Sequence, residues 1–215
     1  MASDVDISNL ALAHIGSLAQ VTTIVPPYDG AEEQQCGRFY PIARDQMLEV
    51  HPWTFAMRRA VLAAVSSDRP SWAYAYQLPA DCLKPRSVLA NEVCDDSVSD
   101  DYIVETNAAG TKVLYTNRSE ATLRYTRTLI DTTRFTPMFV AALARLLASM
   151  LAGPIIKGGE GMRVSQGQMQ IYLVELATAK ADDSNTGSRK NQLREFVPSA
   201  VRARGAPSAW PWRDR

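Results

Sequence analysis

His14 and His51 are the only imidazoles in the chain, so acid–base or metal chemistry near neutral pH would have to begin with them. Neither has a companion at ligand spacing, and each reads as packed or surface-lying. HExxH, GxSxG, Walker and dinucleotide glycine patterns do not occur. Gly158–Gly159–Glu160–Gly161 precedes a helical pattern as a phosphate loop would, but it lacks the leading strand and the Lys–Ser/Thr pair, so it reads as a connector. The run Asp95–Asp96–Ser97–Val98–Ser99–Asp100–Asp101 could attract calcium. It lacks the central glycine and closing glutamate of an EF-hand, which favours a solvated hairpin loop. Asn117–Arg118–Ser119 is a glycosylation sequon by pattern alone. Beyond Asp81, Glu105 and His51 there are few acids or bases to recruit, and no nucleophile–base–orienter set can be assembled. The expectation is a protein that is not an enzyme and holds no cofactor.

The 215 residues are 46% apolar and 21% charged, which excludes disordered, collagen-like and disulfide-scaffold classes. Lys and Arg number 23, as do Asp and Glu, so no global cationic field marks a nucleic-acid or membrane binder. Cys36, Cys82 and Cys94 are odd in number and lack CxxC spacing, and they read as reduced structural thiols. The start, MASDVDISNL, carries acids where a signal peptide would carry bases, so export is not expected. Phe139 to Ile156 is the most apolar stretch, but Arg145, Ser149 and Gly153–Pro154 interrupt it, which favours a buried helix over a membrane span.

The elements that would hold these residues follow from periodicity. Ile7, Leu10, Ala11 and Ile15 mark a first helix, capped by Asp4 or Asp6 and ended by Gly16. A second helix carries Cys36, Phe39, Tyr40, Ala43, Met47 and Val50. Asp29 and Glu32 stand in capping-box spacing ahead of it, Pro41 should kink or split it, and His51–Pro52 stops it. From Trp53 to about Thr128 the period falls to two, which predicts five or six short antiparallel strands with one wet face. Thr136–Pro137 opens a helix with Phe139, Leu143, Leu146, Leu147, Met150 and Leu151, apolar nearly all round. A last helix has Met169, Tyr172, Leu173, Leu176 and Ala177 inward and fades at Asp182–Asp183–Ser184. The expected fold is α+β: an antiparallel four-helix bundle (residues 1–52 and 131–183) with an inserted antiparallel β domain (53–130) and an extended basic C-terminal arm (184–215).

That arm holds Arg189, Lys190, Arg194, Arg202, Arg204, Arg213 and Arg215 against Glu195 and Asp214. Phe196, Trp210 and Trp212 add aromatic bulk among Pro198, Pro207 and Pro211. Arg and Trp dominate interface hot spots, so the segment reads as an arm that orders on a partner.

Several segments occur in a telling order: Ile7 to Gly16 (with Asn9 and Leu12), then Cys36, Tyr40–Pro41 and Arg44–Asp45, then His51–Pro52–Trp53–Thr54–Phe55–Ala56. Trp72 to Leu83 (with Tyr76, Pro79 and Asp81), Phe139 to Ala152 and Tyr172–Leu173 follow. In these the chain resembles the head-to-tail adaptor family of tailed bacteriophages, also called tail tubular protein A or head–tail connectors, over about residues 5–183. The resemblance implies a helical bundle with an inserted β domain. It implies a homo-oligomeric ring of twelve beneath the portal protein, which extends the DNA channel, lets DNA pass without specific binding and seats the tail nozzle or tail tube. It also implies a place at the head–tail junction of the virion, after synthesis in the host cytoplasm, with no membrane contact. The C-terminal segment of such proteins reaches up to clamp the portal. Here that role falls to Arg194, Phe196, Arg202, Arg204, Trp210, Trp212 and Arg213. The acidic run with Asp95, Asp96, Asp100 and Asp101 would suit a channel wall that must not grip DNA.

Two other readings stand beside this one. A nucleic-acid-binding protein would use the basic tail, with strongly salt-dependent affinity. Another neck protein, a stopper or tail-completion component, would share the size and ring habit.

Overall fold

The computed structural model describes residues 2–90, 99–107 and 109–186. Four helices, α1 (Asp4–His14), α2 (Ala31–Val50), α3 (Pro137–Ile156) and α4 (Gly158–Thr186), flank seven strands. The strands are β1 (Met57–Val61), β2 (Ala63–Val65), β3 (Tyr74–Gln77), β4 (Cys82–Ala90), β5 (Tyr102–Thr106), β6 (Lys112–Thr116) and β7 (Ala121–Arg127).

The chain is α+β, as expected, but the antiparallel four-helix bundle is not what forms. A bundle needs four comparable helices that each lend one stripe to a shared axis. Here α3 is itself the axis, and α1, α2 and α4 each pack on it. Its buried residues, among them Phe139, Ala142, Leu143, Ala144, Leu147, Ala148, Leu151 and Ala152, point in every direction around the helix. Alanines let the neighbouring helices approach closely. At only 11 residues, α1 is too short to be a full member of a bundle. By length and composition α3 is also apolar enough to cross a membrane; in this fold its surroundings are the other helices.

Local signals decide the ends. Ser3, not Asp4 or Asp6, caps α1: its hydroxyl accepts from the Asp6 N–H while the Asp6 carboxylate accepts from the Ser3 N–H. Gly16, at φ +78°, closes α1 with its N–H on the Ala13 carbonyl and the Ser17 N–H on that of Leu12. Gly30 precedes α2 without a side-chain cap, so the Asp29–Glu32 box does not form. Glu33 reaches back instead and accepts from the N–H groups of Thr22 and Asp29. Pro41 does not split α2, because it lies on the exposed face, where a missing N–H removes one backbone bond and no packing. Thr136 caps α3 ahead of Pro137, as the sequence predicts.

Gly158–Gly161 is not a loop but the first turn of α4, and α4 runs through Ser184 to Thr186, past the expected start of the arm. Gly161 is buried here because a Cβ would meet the Ala152 carbonyl at 2.9 Å. The inner face of α4 is Gly161, Tyr172, Leu176, Ala179 and Asp183, whereas Met169 and Leu173 point outward.

The strands are antiparallel, as expected, but number seven among the described residues where five or six were expected, and they divide into two sheets. One has the order β1-β7-β4, the other β2-β3-β6-β5. The chain changes sheet at Leu62, between β1 and β2. Pro85 sits among the register shifts of β4, the place a residue without an N–H can occupy. Leu62, Tyr76, Val88, Leu114, Leu123 and Tyr125, drawn from both sheets, share one core. Ala75, Val113 and Tyr115 pack with Trp72 in a separate cluster, so β3 and β6 are covered on both sides and alternation breaks there.

Two glycine substitutions on the tight α3–α4 pair should act oppositely. Gly161→Ala must push a Cβ into backbone and should lower stability by about 1–3 kcal/mol. Gly167→Ala, in the α4 interior with nothing within 4 Å of the added Cβ, should raise it by about 0.5–1 kcal/mol. Urea unfolding of both variants checks the signs.

Candidate functional site

The most elaborate polar arrangement lies where the α2 end turns into β1. His51 leaves the helix in extended geometry, and Pro52 prevents its return. Trp53 then drops fully into the helical core. Its indole N–H donates to the Met47 carbonyl at 2.6 Å, and its ring meets Phe139 edge to face at 5.0 Å. Phe55 packs on Trp53, Phe135 and Phe139. A short 3-10 turn, Thr54–Ala56, follows.

Asp183, near the end of α4 and 129 residues away, is buried against this turn. Its carboxylate accepts from the Thr54 N–H at 3.1 Å and the Thr54 hydroxyl at 2.8 Å, and faces His51 Nε2 at 3.3 Å. A carboxylate on the free N–H at the start of a helical turn is capping physics, supplied here from a distant helix. The His51 pKa is lowered: removal from water dominates, aided by the Lys180 and Arg86 cations, over the opposing pull of Asp183. The neutral ring therefore donates from Nε2 to a carboxylate that can only accept. Thr54 gives its hydroxyl proton to Asp183 and not to the imidazole, so the three residues form a clip and not a nucleophile–base pair.

Other clamps run beside it. Arg86 on β4 donates to the Glu49 carbonyl at 2.8 Å and to Thr126 Oγ1 at 2.9 Å, placing a cation on the C-terminal end of α2. Asp81 accepts from the Tyr125 hydroxyl (2.8 Å) and Arg58 (3.0 Å). Partial burial raises its pKa, but those bonds prevail and hold the carboxyl below its ordinary range. Tyr125, buried and facing that carboxylate, is pushed up to about 12. On α3, Arg145 grips Glu175 and Gln168 of α4, while Gln168 donates to the His14 carbonyl that ends α1.

The acids considered as possible catalysts are each paired: Asp81 as above, and Glu105 with Arg69. From the acidic run, Asp100 takes a two-pronged bond from Arg118 at 2.6 and 2.9 Å. Asp95 and Asp96 lie outside the described residues. Among the described residues no three His, Cys, Asp or Glu side chains gather in a metal-binding arrangement. Cys36 and Cys82 are free thiols, each pushed up to about 11 by burial, which makes them poor nucleophiles. Cys94 lies outside the described residues.

The motif residues fall into two groups. Asn9 pins the following loop by bonding both the N–H and the carbonyl of Val21. Leu12, Tyr40, Trp53 and Phe55 build the helical core, and burial pushes Tyr40 up to about 12. Tyr76 lies on β3, its hydroxyl on the Arg118 carbonyl at 2.9 Å, and Pro79 and Asp81 lie in the turn that leads to β4. Arg194, Phe196, Arg202, Arg204, Trp210, Trp212 and Arg213 lie outside the described residues. Sequence gives Glu33 and Arg86 no role, places Thr54 only within the His51–Ala56 motif and reads Asp183 only as part of a helix end. Asp183 did carry a signal, since it continues the inner register of Tyr172, Leu176 and Ala179. Neither a scan against family models nor a search of curated proteins finds a match for this chain.

Asp183→Ala should cost about 1–3 kcal/mol by stranding the Thr54 and His51 donors. Asp182→Ala, one residue away and exposed, should stay within about 0.5 kcal/mol in the same denaturant titration.

His14 is lowered as well, first by burial and then by Arg145. Both histidines therefore bind protons less readily folded than unfolded. Stability is fully present above about pH 6.5, the unfolded value, and should fall as the pH drops below it. Replacing both with Gln should flatten melting temperature between about pH 7 and 5.5, above the carboxylate range.

Proposed function

We propose that the protein is a structural head-to-tail adaptor of a tailed phage, a ring-forming connector below the portal that extends the DNA channel and anchors the tail. The observation that carries the reading is the use of the resembling residues. Asn9, Gly16, Tyr40, Trp53, Phe55, Tyr76, Pro79 and Asp81 all serve to lock helices, sheets and their connections. Such residues suit a part that bears load between neighbours. A channel subunit requires lateral, upper and lower contacts and no reaction centre. The candidate acids and bases, tied into clips, are in keeping with that.

The basic segment after α4 supplies the upward contact. Asp183 anchors the helix end from which it departs. Ordering a free arm costs about 1–2 kcal/mol of backbone entropy per residue, which Arg and Trp anchors worth about 2 kcal/mol or more each offset once a partner covers them. Mixing the purified protein with the portal of its own particle should give a larger complex on a sizing column. Deleting residues 198–215 should abolish it. A complex unchanged by the deletion removes the arm from the reading. Binding of the full chain to duplex DNA at low salt that collapses with added salt, without any portal complex, favours the nucleic-acid reading instead.

A further inference from the structure

Among the described residues, two exposed surfaces are almost free of charge. Between Arg163 and Lys180 the only charged residue is Glu175, and it turns inward to Arg145. The outer face of α4 over that span presents Met169, Ile171, Leu173 (57% exposed) and Val174 (68% exposed). The second surface comes from a stretch with no Asp, Glu, Lys or Arg at all, from Ile7 to Tyr28. Its loop presents Leu18 (98% exposed) and Val25 (63% exposed). Several other exposed apolar residues sit beside charge: Val61 near Arg59, Ile103 between Asp101 and Glu105, Ile130 next to Asp131.

The loop that carries Leu18 and Val25 is held firmly. Asn9 brackets Val21, Glu33 takes Thr22 and Asp29, and Thr23 bonds its hydroxyl to the Val25 carbonyl. A loop fixed this well while holding a leucine in water is pre-organised for contact. Charge depletion with exposed Met, Leu and Ile marks the core of an interface.

We propose that the outer face of α4 in one copy packs on the Leu18–Pro27 loop of the next. The inference rests on the ring reading above and names its lateral contact. Charge selects the occupant: an uncharged face leaves a charged partner unpaired, and the cationic 187–215 segment is a poor match for it, whereas these two surfaces match each other. They are different patches of one chain, so the contact is heterologous and closes rings where a self-matching patch would stop at a dimer. The α4 span is about 24 Å long at 1.5 Å per residue, so one contact engages a single helix face and a single loop. Single pairs are therefore weak, and each copy is held only when both of its sides are engaged.

Leu18→Cys with Val174→Cys, in a Cys94→Ser background, tests the contact by mild oxidation at high protein concentration. The double variant should give a ladder of cross-linked species, and each single variant none. Val174→Asp, fully able to fold at so exposed a site, should keep its melting temperature and weaken association about tenfold or more, by setting a charge against apolar surface. Self-cross-linking of the Val174→Cys variant alone would overturn the proposal in favour of a symmetric α4 pair. A ring of full size without the ladder would overturn it and leave the ring reading intact. Loss of portal binding with the ladder retained would support this contact while removing the adaptor reading. A monomer at every concentration, alone and with the portal, would remove both.

Discussion

The structure depends on one constraint: α3 must be buried on every side. A helix lined with leucine on some faces and alanine on others cannot remain at a surface, and it recruits α1, α2 and α4 around itself. Close packing then fixes detail that no single local propensity would. The approach of α4 to the Ala152 carbonyl demands the glycine at 161 and allows a helix to start where glycines would otherwise make a loop. Arg145 is the only charge on α3, and it reaches out between helices to satisfy Glu175 and Gln168. The polar network is thus set by the apolar one.

A central helix also determines which faces are left over. With α3 supplying the core, α4 needs only one narrow stripe to dock, and the rest of its 29 residues remain uncovered. In a true bundle, a second neighbour would have hidden much of that surface. The exposed Ile171, Leu173 and Val174 therefore follow from the architecture itself, as does the burial of Asp183 at the far end of the same stripe.

Much of this was legible in the sequence, and the failures share a cause. Gly16 and Thr136–Pro137 mark helix ends through their own backbone chemistry, so the chain announces them locally. The all-round apolar character of α3 is equally plain, but periodicity alone does not distinguish an axis from a bundle member. What stayed hidden were pairings across long separations. Asp183 looks like a fraying helix end until Thr54, 129 residues earlier, is seen beside it. The strands were visible as alternation, yet their division into two sheets turns on Leu62, an unremarkable residue between two short runs. Asp81 was noted as an acid, whereas its partners Arg58 and Tyr125 come from two different strands.

The clip at Asp183 also ties the two parts of the fold together. Asp183 stands three residues before the end of α4 and is held by the connection between helices and sheets. The last turn of α4 is thereby joined to the Trp53 junction, where helical core and β sheets meet, through directional bonds to Thr54 and His51 in addition to apolar packing. Apolar contacts set how closely α4 lies on α3, whereas a carboxylate that must meet a backbone N–H fixes its position along the axis, because a shift of one residue would turn Asp183 away from Thr54.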